Sequence, residues 1–128
     1  MVVDSNALIA ILLGEDGSRA LAEKLDSATR PFMSSFGWFE TAVVIEAKKG
    51  IPGARLFNEL VAELGIECIP FDQSQAEIAM DAWRRFGKGR HPAALNVGDC
   101  AAYALAKTLH QGLLFKGEDF SKTDVARA

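Results

Sequence analysis

The sequence predicts one α/β domain in which helices cover both faces of a small, mainly parallel sheet, a three-layer α/β/α arrangement. Two observations lead to this class. The first is that short apolar segments alternate with longer segments of helical periodicity; strands that alternate with helices form parallel sheets through right-handed crossovers. The second is that helices dominate by number, so the sheet must be small. The length of 128 residues suits a single domain spanning the whole chain, residues 1–128.

The first half of the chain contains five predicted elements, in the order strand, helix, helix, strand and helix: Val2–Asp4, Ser5–Leu13, about Gly17–Ala28, Pro31–Ser34 and Ser35–Lys49. The first is a short apolar run, typical of a buried strand. It ends in a carboxylate, which is thereby expected at the C-terminal edge of the sheet. The last is a strongly apolar helix that ends at Gly50, a common helix terminator, with Pro52 soon after.

The second half continues the alternation, in the order helix, strand, helix, helix and strand: Pro52–Leu64, Ile66–Pro70, Gln73–Phe86, Asn96–His110 and Leu113–Phe115. Gly65, Gly87 and Gly112 follow the three helices, as expected at helix ends. The C-terminal tail is predicted to hold a last short strand near Val125.

Composition excludes several classes of protein. The hydrophobic fraction of 49% and charged fraction of 24% are ordinary for a globular domain. Cys68 and Cys100 have no zinc-site or disulfide spacing, which favours a reducing cytoplasm. The apolar stretch Ala7–Leu13 lacks the basic start of a signal peptide and is too short to span a membrane. The net charge of −3 argues weakly against a general nucleic-acid binder.

Four acidic residues are candidates for a functional site. Asp4 ends the first strand, at the sheet edge where α/β proteins bind ligands. Glu40 lies within an apolar helical stripe, where it either reaches a polar cleft or extends to solvent at the domain edge. Asp99 lies in the first turn of a helix, where a capping box with Asn96 explains it equally well. Asp119 follows the last predicted strand but also fits a solvated loop.

These carboxylates can converge at one rim of a parallel sheet. Three or four carboxylates at short distance repel one another and raise their pKa values, and a divalent cation removes that conflict. Oxygen ligands without His or Cys indicate Mg²⁺ or Mn²⁺ rather than zinc. Such a site can activate water and neutralise a phosphodiester.

A basic cluster precedes Asp99 in the sequence. Arg84, Arg85, Lys88 and Arg90 fall within seven residues that contain no acid. The cluster is either a solvated helix end, where cations suit the helix dipole, or a strip that contacts RNA phosphates or an acidic partner.

Four segments together resemble the PIN-domain family, and within it the VapC-type toxin ribonucleases: Met1–Leu8, Phe39–Glu40, Phe86–Cys100 and Leu113–Phe120. The resemblance covers essentially the whole chain and is most specific in the third segment. It implies a PIN-like α/β/α fold, with core acids Asp4, Glu40 and Asp99 and a fourth acid at Asp119. It also implies Mg²⁺- or Mn²⁺-dependent cleavage of RNA, a homodimer and inhibition by a cognate VapB-type antitoxin.

The chain departs from the family pattern at two positions. Asn6 stands where many relatives carry the Ser or Thr that supports the metal shell, and an amide can still hydrogen-bond to a carboxylate or water. Gly117 stands where many relatives carry an acid, so Glu118, Asp119 or Asp124 must serve as the fourth acid, or the site uses three.

Two alternatives come from other classes of protein. A receiver or Asp-nucleophile phosphatase also has an acid after its first strand. The phosphatase, however, requires a second Asp at the position of Asn6, and the receiver requires paired acids at the first strand. The other alternative is a PIN-like binding module whose metal site has degenerated, against which the retention of Asp4, Glu40 and Asp99 argues.

Overall fold

The computed structural model describes residues 1–128, and its elements follow the predicted alternation. In chain order they are β1 (Val2–Val3), α1 (Ser5–Leu13), α2 (Ser18–Asp26), β2 (Phe32–Ser34), α3 (Ser35–Glu63), β3 (Glu67–Ile69), α4 (Gln73–Phe86), α5 (Val97–Leu109), β4 (Leu113–Leu114) and a 3₁₀ turn at Asp119–Lys122.

The four strands form one sheet in the order β3-β2-β1-β4, and all three pairings are parallel. Val2 of β1 lies opposite Phe32 on one side and Leu113 on the other, so β1 is an interior strand. Because parallel strands run in one direction, their C-terminal ends lie along one edge of the sheet. We call this the C-terminal edge; Asp4 leaves the sheet there directly after β1.

Helices cover both faces of the sheet, as the sequence predicts. Successive strand residues point to opposite faces. Val2 and Leu113 accordingly pack into a core with α4 and α5, whereas Val3 and Leu114 pack into a second core with α1, α2 and α3. The interior residues of β1 are therefore apolar on both sides, which explains the uninterrupted Val2–Val3 run.

The two helices expected on either side of Gly50 are both present within α3, separated by a kink where Gly50 adopts the non-helical φ 65° and ψ −160°. One element differs from the sequence predictions. The expected tail strand near Val125 is instead a single parallel bridge between Leu113 and Arg127. The amide of Val125 is used locally, since it donates to the Thr123 hydroxyl at 3.2 Å.

Both cysteines are free thiols, as their spacing predicts. Cys100 is buried in the core between α4 and α5, whereas Cys68 is exposed on β3. No helix has the length and apolar character that a membrane span requires.

Candidate active site

Asp4 is a buried carboxylate at the C-terminal edge, with only 1% of its surface exposed. Its main-chain amide continues the ladder to β4 by donating to Leu114 O at 2.9 Å. Its side chain caps α1, because Oδ2 accepts a hydrogen bond from the Asn6 amide at 3.2 Å. The other oxygen, Oδ1, is buried without any hydrogen-bond partner. A buried oxygen of this kind is costly unless it binds a ligand.

The surroundings of Asp4 oppose its ionisation. Burial raises the pKa of Asp4 well above its usual range, and the negative charges of Asp99 and Glu40 raise it further. The main-chain amides of Asn6 and Ser5 act in the opposite direction without compensating. These effects also show that Asp99 and Glu40 lie close enough to Asp4 to act on it, as the sequence analysis expects for one shared rim.

Glu40 reaches this rim from α3. It is half-buried, and its Oε1 accepts a hydrogen bond from the hydroxyl of Ser5, the first residue of α1. Its neighbours on the helix surface are apolar and open to solvent, since 64% of Phe39 and 52% of Val43 are exposed. The half-buried carboxylate of Glu40 therefore turns to the polar start of α1 instead of extending fully into solvent.

Asp99 lies in the first turn of α5 and forms the capping box with Asn96. The Asn96 side chain accepts from the Asp99 amide at 2.8 Å, and Asp99 Oδ2 accepts from the Asn96 amide at 2.9 Å. Burial raises the pKa of Asp99 to about 6 despite the Asn96 hydrogen bond, with further increases from Glu40 and Asp119. The capping role of Asp99 is thus confirmed, and its role in a metal site stays a prediction.

The three core acids share one hydrogen-bonding pattern. In each, one carboxylate oxygen is held by a protein donor: Asn6 for Asp4, Ser5 for Glu40 and Asn96 for Asp99. The second oxygen of each forms no hydrogen bond within the protein. The acids are therefore oriented by their surroundings while keeping an oxygen available for a ligand.

The three candidates for a fourth acid have different surroundings. Asp119, at the start of the 3₁₀ turn, is exposed, and its charge raises the pKa of Asp99. Glu118 pairs instead with Arg127 at 3.6 Å.

Asp124 lies elsewhere, in a surface network with Arg85, Lys107 and Tyr103. Although burial opposes it, hydrogen bonds from Tyr103 and Lys107 lower the pKa of Asp124 to about 2. Of the three candidates, Asp119 is therefore the one that acts electrostatically on the core acids.

The oxygen-only donor set and the unpartnered Oδ1 of Asp4 fit a hard divalent cation. The convergence is looser than the sequence analysis expects, because no three acidic, His or Cys side chains are close enough to enclose a metal ion as they stand. The side chains would have to rotate to bring the free oxygens together around a cation.

Asn6 differs from its predicted role beside the metal shell. Its side-chain Oδ1 accepts from the Lys116 amide at 2.9 Å, and its Nδ2 donates to Lys116 O at 3.5 Å. The amide group is thus committed to the main chain beyond β4, and only the main-chain N–H of Asn6 reaches a carboxylate. The side chain of Lys116 turns away to pair with Glu15.

The four residues of the predicted basic cluster have different surroundings. A bridge between Gly87 and Leu95 brings its loop back to the start of α5. Arg85 is committed to Asp124 at 3.3 Å, and Arg90 lies over the Trp83 ring at 4.3 Å. The remaining two basic residues of the cluster are exposed and form no ion pair within the chain; they are Arg84 and Lys88.

Sequence reasoning missed two residues that contact Glu40. One is Ser5, whose hydroxyl binds the Glu40 carboxylate. The other is Gly98, where an added Cβ would lie 2.7 Å from Glu40 Cδ and closer still to both oxygens. No local sequence signal marks Gly98, because its burial against Glu40 depends on the tertiary approach of α3 to α5.

The family model of the PIN domain matches residues 1–126 of this chain. Among curated proteins, the chain is 45% identical to the protein named Ribonuclease VapC of Mycolicibacterium smegmatis, with 98% of each chain covered. It is 42% identical to Ribonuclease VapC30 of Mycobacterium tuberculosis, covering 98% of this chain and 96% of that one. Identity to Ribonuclease VapC42 of the same species is 37%, with coverage of 100% and 98%.

Solved structures share the fold. The crystal structure of Mycobacterium tuberculosis VapC20, described as a Sarcin-Ricin loop cleaving toxin, superposes with a TM-score of 0.80 at 15% identity, covering 99% of this chain and 97% of that one. A toxin–antitoxin complex from Klebsiella pneumoniae gives a TM-score of 0.75 at 17% identity, with coverage of 99% and 95%. At these identities the likeness concerns the fold alone.

Proposed function

Because this chain belongs to the VapC-type ribonucleases of the PIN-domain family, we propose that it is a metal-dependent endoribonuclease and the toxin of a toxin–antitoxin pair. The observation that carries the proposal is the buried Asp4 carboxylate, which has one unpartnered oxygen and two further acids close by. A buried, ionisable group with a strongly raised pKa at a ligand-binding sheet edge is typical of a functional site.

Asp4, Glu40, Asp99 and Asp119 would hold Mg²⁺, with Mn²⁺ able to substitute. The unpartnered carboxylate oxygens of the three core acids are the expected ligands, and exposed Asp119 completes the acidic rim from the 3₁₀ turn. When bound, the cation would lower the pKa of the attacking water and neutralise charge on the phosphodiester.

The protein itself orients the reacting groups. The first turn of α1 fixes Asp4 through the Asn6 amide and Glu40 through the Ser5 hydroxyl, and the first turn of α5 fixes Asp99 through the Asn96 amide. Both helices present their N-termini to this rim, where the helix dipole favours negative charge. Acids held in this way are poised to ionise together once the repulsion between them is offset.

RNA would approach along the basic loop beside α5. Arg84 and Lys88 are exposed without an ion pair, which leaves them available for phosphate contacts. Arg90 is held over Trp83 but keeps its charge at the surface. Arg85 is the least suited of the four to contact RNA phosphates, because it already pairs with Asp124. The same exposed side chains are available to an acidic segment of an antitoxin.

The exposed apolar surface of α3 suits a protein partner, and we assign it to a second copy of the chain. Four of the six large exposed hydrophobic side chains lie on this one helix: Phe39, Val43, Ile51 and Leu56. A VapB-type antitoxin is the further expected partner, supported by the fold shared with the Klebsiella pneumoniae toxin–antitoxin complex. Val43→Glu should shift the dimer to monomer in sedimentation equilibrium; an unchanged mass would exclude this surface.

The proposal is tested by cleavage of RNA with protein purified free of antitoxin. Wild-type protein should cut structured RNA in Mg²⁺, lose activity in EDTA and recover it on addition of Mn²⁺. Asp4→Ala should abolish cleavage while circular dichroism confirms that the fold survives. Cleavage by a folded Asp4→Ala protein at the wild-type rate would contradict the assignment.

A second candidate is a catalytically inactive PIN-like binding module. The absence of three acids already close enough to enclose a cation is the observation that favours it. Calorimetric titration with Mn²⁺ distinguishes the two, with Asp99→Asn as the matched variant. Equal Mn²⁺ binding by wild type and Asp99→Asn would favour the inactive module; weaker binding by Asp99→Asn supports the enzyme.

A further inference from the structure

We infer that Ser5 and Gly98 are positioning residues that hold the Glu40 carboxylate between the first turns of α1 and α5. The inference rests on the proposed function, since it explains how the third core acid is presented to a metal ion. It concerns residues outside the acidic set, and neither of them carries a charge.

Ser5 supplies the attractive contact. It is the first residue of α1, and only 6% of its surface is exposed. Its hydroxyl therefore has little access to water and must hydrogen-bond within the protein. The hydroxyl donates to Glu40 Oε1. A hydrogen bond from a hydroxyl to a carboxylate oxygen is among the stronger side-chain interactions, and the low exposure of Ser5 limits competition from water. Ser5 therefore links the strand end that carries Asp4 to the helix that carries Glu40.

Gly98 supplies the space. It is the residue before Asp99 and is buried in the first turn of α5. A Cβ built there would lie 2.7 Å from Glu40 Cδ, well inside van der Waals contact, and would overlap both carboxylate oxygens. Because the clashing atoms are the far end of a flexible side chain, Gly98→Ala is expected to displace the Glu40 carboxylate rather than to unfold the protein.

The contrast with Gly37 makes the inference specific. Gly37 is also buried within a helix, one turn before Glu40, yet a Cβ there would meet only Met33 Cε at 3.8 Å, an ordinary contact. Gly37→Ala and Gly98→Ala add the same methyl group and the same gain in helix propensity. Only the second should move Glu40.

The first test is Mn²⁺ affinity measured by calorimetry in a mutant cycle. Gly98→Ala and Ser5→Ala should each weaken Mn²⁺ binding on the order of tenfold, the usual effect of losing a group that orients a metal ligand, whereas Gly37→Ala should not. If both residues act through Glu40, neither substitution should weaken binding further in a Glu40→Ala background. Equal losses in both backgrounds, or no loss in the wild-type background, would overturn the inference.

A metal-free readout separates this inference from the proposed function. In EDTA, Ser5→Ala should shift the backbone amide NMR signal of Gly98, because it releases the carboxylate that packs there, and Ser5→Thr should largely restore it. The shift should vanish in Glu40→Ala protein. If Ser5→Ala shifts the Gly98 signal but the protein neither binds Mn²⁺ nor cleaves RNA, the positioning role is supported and the ribonuclease is contradicted. If the Gly98 signal does not shift in a protein that is an active ribonuclease, the positioning role alone is overturned.

Discussion

The side-chain amide of Asn6 forms two hydrogen bonds with the main chain of Lys116, accepting from its N–H at 2.9 Å and donating to its C=O at 3.5 Å. The pair joins the first turn of α1 to the segment that leaves β4, and it spans 110 residues of sequence. It fixes the start of the loop that carries Asp119 relative to the strand end that carries Asp4. The Asn6 side chain is thus a structural link at the site, and only the Asn6 main-chain N–H contacts a carboxylate.

Asn6→Ala should lower the free energy of unfolding by about 1–2 kcal/mol, because it leaves two main-chain groups of Lys116 without their partner. Urea denaturation of the metal-free protein measures the loss. Asn58→Ala is the matched control, since Asn58 is exposed on α3. If the two variants lose the same stability, the Asn6–Lys116 link does not hold the loop.

Asp4→Asn should make the metal-free protein more stable at neutral pH, by about 1–3 kcal/mol, because a neutral amide avoids the burial cost and the repulsion from Asp99 and Glu40 that raise the pKa of Asp4. The Asn side chain can still cap α1 through its oxygen. Asp72→Asn provides the control, because Asp72 also caps a helix, α4, by accepting from Gln75 at 2.9 Å, but is exposed. Thermal unfolding in EDTA should show the gain for Asp4→Asn alone; destabilisation by Asp4→Asn would contradict the account of its environment.

The stability of the metal-free protein should fall as pH rises toward neutrality. Burial raises the pKa of Asp99 from 3.8 to about 6, so between those values the folded state binds more protons than the unfolded state. Stability therefore decreases with pH through this window and is greatest below it. Asp4, whose pKa is also raised, acts in the same direction.

Urea denaturation in EDTA across this window measures the slope, and Asp99→Asn should reduce it. Mn²⁺ affinity should change in the opposite sense, rising with pH as the acids ionise. A stability that increases from about pH 4 to about pH 6, or a slope unchanged by Asp99→Asn, would show that Asp99 is not held in the protonated form by its surroundings.

Asp119→Asn should lower the pKa of Asp99 toward its usual value, because the charge of Asp119 contributes to raising it. It should also weaken Mn²⁺ binding. Carboxyl NMR titration of Asp99 reports the first effect and calorimetry the second. Glu118→Gln is the neighbouring control, since Glu118 is paired with Arg127. A larger effect from Glu118→Gln would make Glu118 the fourth acid.

The parts of the site that follow from local pattern could be predicted from the sequence. Asp4 lies where an apolar strand turns into a helix, and strand order in a parallel sheet places it at the ligand-binding edge. Asn96 with Asp99 indicated a capped helix start, whereas the polar Glu40 within an apolar stripe left a polar cleft and a solvent-exposed domain edge both open.

The contacts that depend on tertiary approach could not be predicted. Nothing local distinguishes Gly98 from a helix-capping glycine until Glu40 of α3 is placed against it. Likewise, the sequence left Glu118, Asp119 and Asp124 open as the fourth acid. These three acids differ in their long-range partners, since Arg127 pairs with Glu118 and the Tyr103 hydroxyl binds Asp124.

The central claim is that buried Asp4 belongs to an acidic, metal-dependent ribonuclease site. The rate at which Asp4→Asn cleaves RNA in Mg²⁺ tests this claim most directly. Asp72→Asn is the matched helix-cap control. Both variants keep the shape and capping oxygen of the original side chain. The account predicts that Asp4→Asn loses at least about 100-fold in rate while Asp72→Asn cleaves as the wild type does. A folded Asp4→Asn protein that cleaves RNA at the rate of Asp72→Asn would contradict it.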